Sequence, residues 1–176
     1  MNRSRLDAEE LRDTVLAVSG ALDLKMGGPG FEAFRFKDDH SPVYDHSAVE
    51  KINDPATWRR TVYRFTVRSV PNPFLECLDC ADPNLPTPVR GTTITALQAL
   101  ALLNDPFVIR QSELFAERVR RSSADAGKQI AQAYQLAFGR PPTMEERETL
   151  GGYAARHGLA NACLLLFNAN EFVFVD

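Results

Sequence analysis

The sequence predicts a mainly α fold: an irregular helical bundle with a small loop or β section near residues 27–53. Three observations predict it. From Thr92 onward, apolar residues recur three and four positions apart with short gaps, the spacing of helices that bury one face. Where such segments begin, the chain carries Asp-Pro, Asn-Asp-Pro or Thr-x-x-Glu, each a way of satisfying the free amides of a first helical turn. Between residues 27 and 53 the period is lost, and Gly, Pro and scattered Phe take over.

In chain order, Ser4–Asp7 followed by Ala8-Glu9-Glu10 reads as a helix start, with acids at the positive end of the helix dipole. Leu11, Val15, Val18 and Leu22 then form one apolar face, and Gly20 with Gly27-Gly28-Pro29-Gly30 ends the element. Phe31–Asn53 is expected to be loop with a short strand or hairpin. Asp54-Pro55 opens the next segment, where Trp58, Val62 and Phe65 fall at i, i+4 and i+7. Alternation of Tyr63, Phe65 and Val67 with Arg64, Thr66 and Arg68 competes as a strand; the helix is the favoured reading. The prolines from Pro71 to Pro88 close this segment and make a crossing loop. Thr92 or Thr93 is expected to cap a helix carrying Leu97, Leu100 and Leu103. Asn104-Asp105-Pro106 opens a second with Val108, Ser112, Phe115 and Val119 on one side, and Asp125 a third with Ile130, Ala133, Tyr134 and Ala137 inward, stopped at Gly139. Thr143 and Glu146 form a capping box before Leu150, Tyr153 and Ala154, and a short apolar segment covers Leu159–Asn170.

A chain of 176 residues suits one domain, taken to span 1–176. Hydrophobic residues at 44% and charged residues at 24% exclude a disordered chain. Three cysteines cannot all pair, so no full disulfide framework holds the fold. The net charge of −3 gives no general reason to expect nucleic acid, and the longest apolar run, Ala162–Phe167, is far short of the ~20 residues of a membrane span. The polar residues Met1–Glu10 lack the apolar core of a signal peptide, which taken alone points to the cytoplasm.

Several residue groups are candidates for chemistry. Arg59, Arg60, Arg64 and Arg68 carry four positive charges with no acid between Asp54 and Glu76. On a helix, Arg60, Arg64 and Arg68 form a ridge able to grip phosphate or sulfate; the alternative is pairing with Asp7, Glu9, Asp13 or Asp79 inside the fold. The favoured picture is an Arg–carboxylate network tying the first helix to this segment, so that replacing Arg64 lowers stability. Cys77 and Cys80 have the two-residue spacing of zinc or disulfide chemistry, but no second ligand pair accompanies them. Ala81 takes the place of the His that covalent haem attachment needs, so no cofactor is expected in this segment. Asp38-Asp39-His40 and Asp45-His46 gather possible metal ligands without a recognised spacing, making His40 and His46 weak candidates. Gln98, Asn104, Asn168, Asn170 and Glu171 are expected to cap and to pin loops.

Several stretches together resemble a known family. They are Arg5–Asp13, Val18–Leu22 with Met26–Pro29, Arg59–Phe65 with Arg68–Pro71, Leu78-Asp79, Thr92–Leu100 with Leu103-Asn104, Gly139–Thr143 with Glu146, and Phe167–Phe172. In this order they resemble the C-terminal region of the planctomycete Domain of Unknown Function 1553 family. The chain departs from a Phe-Asp-x-Pro-Asp run of that family at Leu78–Asp82. The resemblance implies the tail of a long, exported, multidomain protein of the envelope or periplasm. Other members often carry a cytochrome-c-like module, and some a carbohydrate-binding-like one. It implies an upstream domain of the same polypeptide as partner, with anionic polysaccharide as a possible second partner. The expected function is a non-catalytic scaffold or interaction domain. The rivals are part of an enzyme or binding protein acting on polysaccharide, sulfated or not, with Asp7, Asp13, Asp79 or Asp82 facing a cleft, and a metal or redox module built on Cys77 and Cys80.

Overall fold

In the computed structural model, residues 4–175 are described except 39, 41, 92 and 94. The fold is mainly α, with nine helices and two small two-stranded sheets among the described residues. The elements are β1 (Ser4–Arg5), α1 (Ala8–Ser19), β2 (Arg35–Lys37), β3 (Val43–Asp45), α2 (Val49–Ile52), α3 (Pro73–Cys77), α4 (Ala96–Asn104), α5 (Pro106–Ser122), α6 (Ala126–Phe138), α7 (Met144–His157), α8 (Leu159–Phe167), α9 (Asn170–Val173) and β4 (Phe174–Val175). Two single 3-10 turns, Pro55–Thr57 and Thr61–Tyr63, lie between α2 and α3.

α5 is the central helix, packing against α8, α1, α6 and α4. Its Val108, Phe115, Ala116 and Val119 are fully buried, and the Phe115 ring stacks on Phe167 of α8 at 5.4 Å between centroids. Leu11 and Val15 of α1 close the core from one side, and Ile130, Ala133 and Tyr134 of α6 from the other. Arg118 of α5 donates to the carbonyls of Ala17 and Val18, placing a cation at the negative end of α1. Gly20 takes the left-handed conformation (φ 81°) that ends that helix, where a Cβ would meet the Arg118 side chain at 3.1 Å. β1 pairs antiparallel with β4, Ser4 opposite Val175, so the two outermost described segments lie side by side.

The helix starts follow local chemistry. Asp105 accepts from Phe107 N–H with Pro106 in the first turn, Asp125 accepts from Lys128 N–H, and Thr143 and Glu146 form the expected reciprocal box. α4 differs from expectation: Thr95 is its cap, exchanging bonds with Gln98, while Thr93 is turned to Asp79. Thr92 lies outside the described residues.

The helix favoured over residues 54–68 does not form. After the turn at Pro55–Thr57 the chain runs largely extended, with Asp23 bridging to Arg59 and Phe31 to Arg64. The inward residues are Thr57, Arg59 and Thr61, a period of two built from polar side chains, while Val62 and Phe65 face outward. The backbone groups that a helix would use internally are taken by α1 and by the loop near Phe31. Thr57 and Arg59 carbonyls accept from Arg12, Thr61 N–H donates to Asp13, and Phe65 N–H donates to the Phe31 carbonyl. Gly30 permits this approach, since a Cβ there would sit 2.8 Å from the Tyr63 carbonyl oxygen. The expected β section is the hairpin of β2 and β3, Phe36 opposite Tyr44, with Phe34 packed edge-on to Tyr44 and His46 beneath it.

Candidate functional site

α1 and the 57–68 segment meet along one polar seam, to which Asp13 and the Arg59 backbone, among the residues that the sequence marks, contribute. Arg12 occupies the seam's centre. Its Nη1 donates to the Arg59 carbonyl and Thr61 Oγ1, its Nη2 to the Thr57 carbonyl, and its guanidinium lies between the rings of Phe31 and Phe107 at 5.3 and 5.1 Å. Burial pulls its pKa down to about 10, which Asp13 opposes and Arg64 reinforces; it remains charged at neutral pH. Asp13 accepts from Thr61 N–H at 2.8 Å and Thr61 Oγ1 at 2.6 Å, and stands 3.6 Å from Arg12. The joint between α1 and this segment therefore runs from a helix-borne guanidinium to backbone carbonyls. Arg12 lies in the Arg5–Asp13 stretch of the family resemblance, and its burial has one further signal: a charge falls between Ala8, Leu11, Val15 and Leu16, inside the buried arc of α1.

The four candidate arginines separate. Arg59 turns into the loop ahead of it, donating to the carbonyls of Pro29, Lys25 and Gly27 and stacking on Tyr63 at 4.1 Å. Arg60 and Arg68 are exposed. Arg64 and Arg68 line one cleft of about 390 Å³, together with Glu9, Glu76 and Asp82; Arg60 is not among its walls. Arg64 also lines a second, smaller cavity of about 170 Å³ with Arg12, His46 and Asn72. It is partly buried, which lowers its pKa, yet among the described residues its side chain makes no hydrogen bond or ion pair within 4 Å, and its Nε is buried without an acceptor. No partner makes Arg64 a stability residue.

The acids find other cations. Asp79 is a hub: it pairs with Arg5 at 2.8 Å, accepts from Thr93 N–H and Oγ1, and accepts from Gln98 Nε2 at 3.0 Å. Arg5 adds bonds to the carbonyls of Leu78 and Thr93, so one carboxylate fastens β1, the loop before α4 and α4 itself. These donors hold its pKa below the carboxylate norm against the opposing effect of desolvation. Asp79 is the single non-glycine residue of positive φ among those described, at 61°, a conformation that Asp tolerates better than most. Glu9 is gripped by Arg90 at 3.1 Å, and Asp7 lies 3.9 Å from the same guanidinium.

Cys77 and Cys80 are both free thiols that turn to different partners, the Leu97 carbonyl and Glu9. Burial and nearby acids push both thiols up, which disfavours the thiolate that metal binding and exchange require. His40 is exposed at the hairpin, and His46 lies apart from it beneath Phe34, against Asn72. Asp39 lies outside the described residues. Among those described, no group of three or more His, Cys, Asp or Glu could hold a metal ion, and no helix is long and apolar enough to cross a membrane.

One further surface adjoins the Asp79 hub. α4 has the sequence Ala-Leu-Gln-Ala-Leu-Ala-Leu-Leu-Asn, yet it buries only Gln98 and Leu102. Leu97 is 64% exposed and Leu100 54%. Its polar Gln98 points inward beside Leu102 while two leucines point outward, against the sorting expected of an amphipathic helix.

A family model described as PSD1, protein of unknown function (DUF1553), matches residues 1–154. The chain belongs to that family. Comparison with curated proteins and with solved structures gives no match. The span matched in this DUF1553 chain takes in the Arg12 joint, the Asp79 hub and α4, and stops within α7. The Phe167–Phe172 stretch of the sequence resemblance falls beyond it, across the end of α8 and the start of α9.

Proposed function

We propose that this DUF1553 domain is a non-catalytic interaction module, carried in an exported multidomain envelope protein and docking the upstream domain of the same polypeptide through the outer face of α4. The observation that carries the reading is the exposure of Leu97 and Leu100 on α4, a helix of Ala and Leu apart from Gln98 and Asn104. Residues three apart on a helix share a face, so the two leucines form one patch with the exposed Ala96 and Ala99 beside them. The inward side of α4 carries Gln98 and Leu102, and the Gln98 amide donates to Asp79 and to Thr93 Oγ1 and so fixes the helix's rotation about its axis. A fold that spends its inward position on an amide and leaves leucines in water retains apolar area for a partner. Covering a leucine contributes roughly 1.5–3 kcal/mol when complete. The acids along the seam support the non-catalytic part of the reading: Asp7, Asp13 and Asp79 are engaged by Arg90, Thr61 and Arg5.

The test is calorimetric titration of this chain with the polypeptide encoded immediately upstream of it. Binding is expected, and Leu97→Glu or Leu100→Glu should weaken it by tenfold or more while melting stays unchanged, because both side chains already face water. No binding, or binding indifferent to both substitutions, overturns the proposal.

A further inference from the structure

Arg64 and Arg68 meet in the cleft of about 390 Å³, a volume within the roughly 300–1,000 Å³ of small-molecule sites. Its walls come from four parts of the chain: Glu9 of α1, the extended 61–68 segment, residues 71–76 leading into α3, and the loop 80–84. Two contacts hold these walls together. Asn84 Nδ2 donates to the Arg68 carbonyl, tying the loop to the extended segment. Arg90 grips both oxygens of Glu9, which also accepts from the Cys80 thiol at 3.6 Å, so Glu9 enters the cleft already neutralised.

Other groups in the walls stay open. Of the three Arg64 nitrogens only Nε is sealed from water; Nη1 and Nη2 bond no described residue and remain accessible. Burial lowers the Arg64 pKa, and the groups that oppose this, Cys80 and Glu9, line this cleft and not the smaller cavity. Arg68 and Glu76 are exposed, and neither side chain bonds a described residue. Asp82 receives Asn84 N–H and Nδ2 on Oδ1 alone, which leaves Oδ2 to accept from a ligand.

The open charges balance, two guanidinium groups against two carboxylates. A free dianion such as phosphate would gain at Arg64 and lose at Glu76 and Asp82. A ligand with one oxyanion and several hydroxyls suits both: two oxygens of the anion meet the Nη fork, and the hydroxyls donate to the carboxylates. Val62, Pro71 and Leu75 add apolar wall against which the C–H face of a ring can pack. We infer that this cleft binds an acidic sugar unit, a pyranose ring bearing one carboxylate or one sulfate ester, with its oxyanion on Arg64. Of the ridge expected from the sequence, Arg64 and Arg68 take part and Arg60 does not. No residue of α4 lines the cleft, so the site stands apart from the docking surface.

The experiment titrates the whole chain with three disaccharides at matched ionic strength: digalacturonate, galactobiose carrying one sulfate ester, and unmodified galactobiose. Backbone amide resonances of Thr66, Cys80 and Asn84, which lie on different walls, report occupancy. Saturable shifts at all three are expected with at least one acidic sugar and not with the neutral one. Which acidic sugar binds more tightly assigns the anionic group as carboxylate or sulfate ester. Arg64→Gln should weaken binding tenfold or more without lowering the melting temperature, and Arg68→Gln, at an exposed position, about threefold. Arg60→Gln should leave it unchanged, as should Leu97→Glu, which separates this site from docking through α4. Absence of saturable shifts with both acidic sugars, equal binding of the neutral one, undiminished binding in Arg64→Gln and Arg68→Gln, or an equal loss in Arg60→Gln overturns the inference.

Discussion

Arg12 shows how much one buried charge can organise. Its guanidinium stands in for backbone pairing between α1 and a segment with no regular structure, reaching two carbonyls and a hydroxyl at 2.7–3.2 Å. Charge-assisted bonds of this kind are worth roughly 1.5–3 kcal/mol each, and removing the donor leaves buried carbonyls unsatisfied. Arg12→Ala is therefore expected to cost about 3–4 kcal/mol in denaturant unfolding. Arg12→Lys should recover little of it, because a single ammonium lacks the planar fork that serves three acceptors. A loss below about 1 kcal/mol for Arg12→Ala would show that the segment is held by its other contacts. The sequence marks Asp13 as a partner for an arginine of the 59–68 segment; the structure gives it Thr61 as well, whose N–H and Oγ1 both donate to it.

At the scale of elements, starts and stops are legible because capping is local chemistry. Asp105-Pro106, Asp125 and Thr143 each bind an amide two or three residues onward, so the sequence alone places α5, α6 and α7. The 54–68 segment is not legible, since its inward positions hold Thr57, Arg59 and Thr61 while Val62 and Phe65 face water. Hydrophobic periodicity assumes that apolar means inward, and here that assumption fails. Joints between elements carry a testable pH dependence. Arg140, at the α6–α7 turn, holds Glu146 of α7 and Glu171 of α9 in two-pronged contacts of 2.6–2.9 Å. Bonds from Arg140 and from Thr143 N–H pull the Glu146 pKa from 4.5 to about 2. A carboxylate depressed by folding contributes stability that is complete above its unfolded value and is lost as pH falls through its folded value. Unfolding free energy should thus decline between pH 4.5 and 2, and Glu146→Gln should flatten the decline in that window. An unchanged profile in the variant would place the acid sensitivity elsewhere.

For the whole molecule, stability is concentrated where α5 crosses α8. Phe115 and Phe167 are both fully buried and in ring contact, and every large helix packs directly on α5 or, like α7 through Leu150, shares its core. Phe115→Ala should cost about 3–5 kcal/mol, read as a shift of a single cooperative denaturant transition. Two separate transitions would mean that the part around α1 and the hairpin unfolds apart from the bundle. The long-range ion pairs do not announce themselves in the same way: Arg5 meets Asp79 across 74 positions, and Arg90 meets Glu9 across 81. Many acids were available to each arginine, and the choice depended on how the chain closes.

By itself the sequence determined the mainly α class, the capped helices from α5 to α7, the hairpin region and the kinship to DUF1553, because each rests on short-range chemistry or on the order of motifs along the chain. Tertiary structure alone decided which guanidinium joins α1 to its neighbour, that α4 turns Gln98 inward and its leucines outward, and that Arg64 is left without a partner beside His46. Those outcomes depend on which groups compete for the same few buried acceptors, and that competition exists only once distant segments share one volume.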